Sequence, residues 1–266
     1  MVQRRLLNQA ATVVVALTCT IVGANAQTGG CASLPNQAAL KKALDAATAT
    51  EKSGLNNQMW ATMVDRDGIV CAVAFSGADR AAQWPGSRVI SAQKANTANA
   101  FSLDSSSNSG GSGQANGLAL STANLYSAVQ PGGSLFGLQA SNPVNTTVAY
   151  REPSSAYGTA KDPMVGGKIG GVNVFGGGLA LYATVKNTVG GLGVSGDTSC
   201  ADHNIAWLIR KGLNLDHMAG VGGVSGDKER PDNIIFDIKN GVSAGGFGHP
   251  TCINTGDPKT LPAVQP

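Results

Sequence analysis

Thr188-Val-Gly-Gly-Leu-Gly-Val-Ser-Gly196, running into Asp197-Thr198-Ser199, decides what kind of sheet this chain builds. Gly191, Gly193 and Gly196 have the G-x-G-x-x-G spacing, and Asp216 follows at about the distance of the acidic residue in a dinucleotide fingerprint. That pattern needs a strand opening a parallel βαβ unit. Here the run before it, Leu179–Val185, is another β-type stretch, joined to Thr188–Val194 across Lys186-Asn187. Two such runs with a short join read as a hairpin, and a hairpin is antiparallel. The glycines then serve close approach, because a strand residue without a Cβ lets a helix backbone come near. Nor is Ser195 a nucleophile elbow, since Asp197 stands where G-x-S-x-G requires glycine.

The same grammar recurs upstream. Gln58–Asp65 and Ile69–Ser76 flank Asp67-Gly68, which predicts a tight hairpin with positive φ at both central residues. Pro35 opens and Gly54 closes a helix over Asn36–Ser53, and a second helix over Ser87–Ser102 follows Trp84-Pro85-Gly86. A third, Thr198–Lys211, turns Ala201, Ile205, Leu208 and Ile209 inward and starts with Ser199 and Asp202 in the S-x-x-D form of a capping box. Hairpins alternating with helices predict an α+β fold, an antiparallel sheet with helices packed on it. Asp104–Gly117 is polar and of low complexity, a flexible loop. A short helix begins at Ser121 and stops at Pro131-Gly132-Gly133, and Gly, Pro, Asn and Ser dominate from there to about Gly171. Residues 104–170 therefore read as a loop insert in a single domain spanning 27–266. The extension from about 213 holds one strand, Asn233–Ile238, before a Gly/Pro-rich end.

Composition excludes several classes. The 266 residues are 42% hydrophobic and 13% charged, with net charge +3 and 36 glycines. Disorder is excluded by the apolar content, and nucleic acid or an anionic membrane surface by the lack of a basic excess. Met1–Ala26 carries Arg4 and Arg5, the apolar run Ala10–Val22 and an A-x-A site at Ala24-Asn25-Ala26, the order of a secretory signal peptide. The run is too short for a span of ~20 residues, so no membrane segment is expected in the mature chain. Export to the periplasm or the extracellular space suits disulfides among the four remaining cysteines. Three pairings are possible. Cys31–Cys71 and Cys200–Cys252 are favoured because each brackets one block of sequence, each bond contributing roughly 3–4 kcal/mol in the chain-entropy model. No C-x-x-C or H-E-x-x-H spacing signals a dedicated metal site.

Candidate site residues lie on the second helix and the glycine runs. Lys94 and Thr97 are one turn apart and offer a cation and a hydroxyl on one face, with Phe101 a turn further on. Gly176, Gly177 and Gly178 can present backbone N–H groups to an anion. His203 is expected at or near the surface, on the helix face opposite Ile205 and Leu208, free to act as a ligand.

Four segments, taken together, resemble the exported branch of the GlcG/HbpS-like family of haem-binding proteins. They are Val64-Asp-Arg-Asp-Gly-Ile-Val70, Lys94-Ala-Asn-Thr97-Ala, Gly170-Gly-Val-Asn-Val-Phe-Gly-Gly-Gly178 and Val189-Gly-Gly-Leu-Gly-Val-Ser-Gly196, in register over about Leu34–Gly212. The resemblance implies a profilin-like central antiparallel sheet with helices on both faces, assembly into homo-oligomers, and haem as cofactor. It places Lys94 and Thr97 opposite the glycine-rich loop. Lys94 is then expected to pair with a propionate, and Thr97 or His203 to reach the iron. The leading expectation is an exported small-molecule-binding protein for haem, in uptake, sequestration or sensing. Two rivals stand beside it: an enzyme for a small carboxylate or aromatic substrate, with Lys94 as cation and Asp202 with His203 as acid and base, and a structural oligomer-forming protein. No catalytic residue is assigned by the sequence itself.

Overall fold

The computed structural model describes residues 30–104, 116–184 and 187–266. The expected signal peptide, the middle of the polar loop and the turn residue Lys186 lie outside the described residues. Four strands form the central sheet: β1 (Trp60–Asp65), β2 (Val70–Phe75), β3 (Gly178–Ala183) and β4 (Asn187–Ser195), in the order β2-β1-β4-β3. Every neighbouring pair is antiparallel, so the glycine-rich segment is an inner strand of an antiparallel sheet, with Ser195 opposite Trp60 and Gly190 opposite Asp65.

The β1–β2 turn is built differently from the expected one. Gly68 has φ +77°, but Asp67 keeps a negative φ. The Gly68 N–H donates to Asp65 O, and the Asp65 carboxylate accepts from the N–H groups of Asp67 and Ile69. A side chain thus organises a longer turn, and the register shifts by a bulge after Met63.

Helices cover both faces. On one, α1 (Gln37–Thr50) and α5 (Ser199–Gly212) bury Leu40, Leu44, Ile205 and Ile209 against Met63, Leu179 and Leu192. On the other, α2 (Ser87–Phe101) sets Val89, Ala92 and Ala95 on Trp60, Val64 and Val73. Fully burying each of the larger side chains contributes about 1.5–3 kcal/mol. The helix sits very low over β4. A Cβ on Gly191 would meet Ala95 O at 2.2 Å, and one on Gly193 would meet Ser91 O at 1.9 Å. Close approach is the work these glycines do.

Both disulfides pair as favoured, Cys31–Cys71 with Cα atoms 5.3 Å apart and Cys200–Cys252 at 6.1 Å. Other expectations need correction. Thr198, not Ser199, caps α5 by accepting from Ala201 N–H, and the Asp202 carboxylate is turned elsewhere. Ser121–Gln130 forms two 3₁₀ turns, Thr122–Leu125 and Ser127–Val129, in place of one helix. Of the strand expected over Asn233–Ile238, only Ile238 pairs; Ile238–Lys239 (β5) and Val242–Ser243 (β6) form a small hairpin at its end.

Two long segments are tied to this frame through buried ion pairs. The insert contains α3 (Leu138–Ser141) and α4 (Thr146–Ala149) and packs Val148, Ala149, Met164 and Ile169 beside α2. Arg88 reaches from α2 to Asp162 with two N–H groups, donates to Ala149 O and stacks 3.5 Å over the Tyr157 ring. The tail runs along β3, where Tyr182 and Leu215 share a backbone bond, and Arg210 on α5 grips Asp232 with two N–H groups. Among the described residues, no helix is long and apolar enough to cross a membrane.

Candidate functional site

The low seat of α2 on β4 carries Lys94 beneath the start of α5. Its ammonium donates to Val194 O at 3.0 Å and to Asp202 Oδ2 at 2.6 Å. The other Asp202 oxygen accepts from the backbone N–H groups of Gly196 and Asp197. Both side chains are almost wholly buried, 2% and 3% exposed. Burial works against charge on each partner. It lowers the Lys94 pKa and pushes the Asp202 carboxyl up to about 6, although each partner pulls the other back toward its charged form.

Above the pair opens a recess of about 310 Å³. Lys94 and Asp202 line its floor with Ser87 and Ser195, while Trp84, Ile90 and Phe175 line it with apolar surface. Trp84 and Phe175 are 51% and 43% exposed, so two large rings stand at a rim whose floor is charged. Two of the lysine's three N–H groups have protein partners. The third has none among the described residues. Among the described residues the lining offers hydroxyls and carboxylates but no Cys, His, Met or Tyr side chain. Asp197 lines it too, so one lysine stands beside two carboxylates, and what the recess can offer is a Lys94 N–H, serine hydroxyls and apolar cover, with hard oxygen as its only metal donors.

The remaining candidates take other places. Thr97 is buried, donating to Gln93 O and accepting from Asn173 N–H, so it fixes the 170–178 loop against α2 and does not line the recess. Gly176, Gly177 and Gly178 are pressed onto α5, β4 and α2. A Cβ on Gly176 would meet Ser199 O at 2.2 Å, and one on Gly178 would meet Lys94 O at 2.6 Å. At Gly177, φ +114°, a Cβ would collide with Val194 O, press on Asp202 Cβ at 2.9 Å and come within 3.0 Å of the Lys94 ammonium. These glycines let the loop close over the lysine. Phe101 packs into a separate cluster with Leu120, Leu125 and Val174.

His203 is the largest correction. It is fully buried, because the tail covers the helix face that the periodicity of α5 leaves polar. Its Nε2 lies 3.2 Å from both Asn233 Oδ1 and Ile234 N, and burial holds the ring neutral, with its pKa pushed down to about 4. Asp202 bonds Lys94 and not His203, so the acid and base pairing imagined for an enzyme does not form. Sequence reasoning missed Trp84, Phe175 and Ser87 as recess residues, and it named Asp202 beside Lys94 only as the acid or base partner of His203. The Trp84-Pro85-Gly86 run carried a signal, an aromatic beside a helix start, but served there as punctuation.

Comparison with known proteins gives one family. The model of the HbpS-like family, described as haem degrading protein HbpS-like, matches residues 34–210. Among solved structures, a complex of PduOC with heme aligns at 22% identity and TM-score 0.43, covering 67% of this chain and 91% of that one. Klebsiella pneumoniae protein ORFY aligns at 22% identity and TM-score 0.42, covering 79% and 97%. A double mutant of Streptomyces reticuli HbpS aligns at 16% identity and TM-score 0.37, covering 77% and 99%. No curated protein matches.

Proposed function

Because the chain belongs to the HbpS-like family, we propose that it is an exported haem-binding protein and that haem enters the recess between Trp84 and Phe175. Lys94 would hold a propionate with its remaining N–H, and Trp84, Ile90 and Phe175 would give apolar cover. Haem supplies a redox-active iron when bound. The chain supplies the cation, the apolar cover and a loop wall held by Thr97. With no soft or imidazole ligand lining the recess, binding is loose and exchangeable, which suits capture and transfer more than permanent retention. The observation that carries this reading is a buried lysine with one unpartnered N–H at the floor of a recess rimmed by two exposed rings. Export accounts for the two disulfides.

Hemin titration tests it. Wild-type protein is expected to give a saturable Soret shift at micromolar hemin, and Lys94→Met to need at least ten times more hemin. An unchanged Soret band, or a Lys94→Met curve overlying the wild type, would refute the assignment. Light scattering on the same samples reads the expected homo-oligomer.

A further inference from the structure

Where the tail beyond the family match meets the start of α5 there is a second cluster of chemistry-bearing groups. Cys200, at the start of α5, and Cys252 form the second disulfide, and a ring nitrogen of His249 lies within 4.8 Å of both sulfurs. His249 is 2% exposed. Its Nδ1 lies 2.7 Å from Pro250 O, and a carbonyl can only accept, so the ring hydrogen sits on Nδ1. Nε2 therefore carries a lone pair, and it has no hydrogen-bond partner among the described residues. An imidazole oriented through one N–H to a backbone carbonyl, with its other nitrogen unoccupied, is the arrangement of a metal-ligating histidine.

The first disulfide provides the contrast. Cys31, Asp65 and Cys71 also cluster, but Asp65 Oδ1 already accepts from two backbone N–H groups and organises the β1–β2 turn. Its carboxylate is part of the fold. Nothing comparable occupies His249.

We propose that Cys200, Cys252 and His249 form a redox-gated site for a soft or borderline divalent metal such as zinc. While the disulfide is intact the sulfurs are poor ligands and the site is closed. A dithiol reductant opens it. The Cys200–Cys252 bond breaks, both sulfurs leave as thiols, and the reductant becomes a disulfide. The metal ion then displaces one proton from each thiol and binds two thiolates and the imidazole, releasing two protons in all. A Cα separation of 6.1 Å suits the disulfide, and metal–sulfur bonds of about 2.3 Å ask for small side-chain movements from there. Ser199 Oγ, 3.7 Å from Cys252 Sγ, or a water completes the set. Cys252 is half-buried, which gives a reductant its approach.

Cobalt(II) alone is the probe, with no haem present, so the outcome is independent of the haem reading. The full chain with Cys31→Ala and Cys71→Ala, which removes the other sulfur pair, is reduced, freed of reductant without oxygen and titrated. One equivalent of cobalt is expected to raise a sulfur-to-cobalt charge-transfer band in the reduced chain and none in the oxidised chain. His249→Gln is expected to weaken that binding at least tenfold. Should the double alanine variant fold poorly by circular dichroism, the wild-type chain is reduced instead and compared with Cys200→Ser. The proposal falls if the reduced, folded chain gives no sulfur–cobalt band, if His249→Gln binds as tightly as its parent, or if Cys200→Ser binds as tightly as wild type.

Discussion

Arg88 and Lys94 stand on the same helix, and each ends in a buried carboxylate, yet the two pairs are built for different ends. Arg88 meets Asp162 through two N–H groups, and the Asp162 oxygens also accept from Gly158 and Met164 N–H. Tyr157 closes one face of the guanidinium. Every hydrogen-bonding direction of that carboxylate is engaged, and the insert is locked to α2. Lys94 meets Asp202 as a single point contact at the floor of an open recess, with one N–H unengaged. Planar, bidentate arginine suits a permanent join; lysine, a point charge whose proton is sensitive to burial, suits a place where a partner comes and goes. A cation's buried state therefore says little about its role until the neighbouring space is examined.

The comparison can be broken from either side. The largest effect is expected at the closed pair. Arg88→Ala leaves Asp162 charged and unpaired in the core and should cost about 3–5 kcal/mol of stability by denaturant unfolding, and Arg88→Lys should recover little of it. Full recovery by lysine would erase the distinction drawn here. Next comes Lys94→Met. Its hemin affinity should fall at least tenfold, about 1.4 kcal/mol, while its loss of stability stays below that of Arg88→Ala, because Asp202 can hold its proton near pH 6.

A smaller effect is expected from pH. The folded pKa of Asp202 lies above its unfolded value, 3.8, so between about pH 4 and 6 the native state holds a proton that the unfolded chain has lost. This group therefore opposes folding increasingly as pH rises through that window. Over the upper part of the same window Asp202 becomes charged and engages Lys94. Hemin affinity should then drop several-fold on going from pH 5 to pH 7, and Asp202→Asn should flatten the profile. An unchanged slope in Asp202→Asn would mean that the lysine is not what the ligand meets. The smallest effect is Trp84→Ala, which should weaken hemin a few-fold and leave unfolding within about 0.5 kcal/mol of wild type, as befits a half-exposed ring.

Local grammar made most of the frame legible. The hairpin at Asp67-Gly68, the three long helices and the close-approach role of the β4 glycines are visible in the sequence because short-range patterning specifies them, whereas the cysteine pairs, 40 and 52 residues apart, are one choice among three. The site is less so. Lys94 stood out, but its partner Asp202 is 108 residues away, and only the fold brings them together. His203 misled because the periodicity of α5 describes the helix by itself, whereas Asn233 and Ile234 cover its polar face from the tail. Trp84 and Phe175 carried no periodic signal, since each lies in a connection between elements. Long-range closure, in which irregular segments cover regular ones, is the part that pattern does not encode.

The seat of α2 on β4 has a consequence for how this protein can vary. At Gly193 any side chain would collide with Ser91 O at 1.9 Å and crowd the Lys94 Cβ at 3.0 Å. The ammonium is thus aimed by atoms that are missing. Adding a single methyl group there would force α2 away from β4 and carry the cation with it, so under the proposed haem reading one change in the sheet would reach the ligand through the helix.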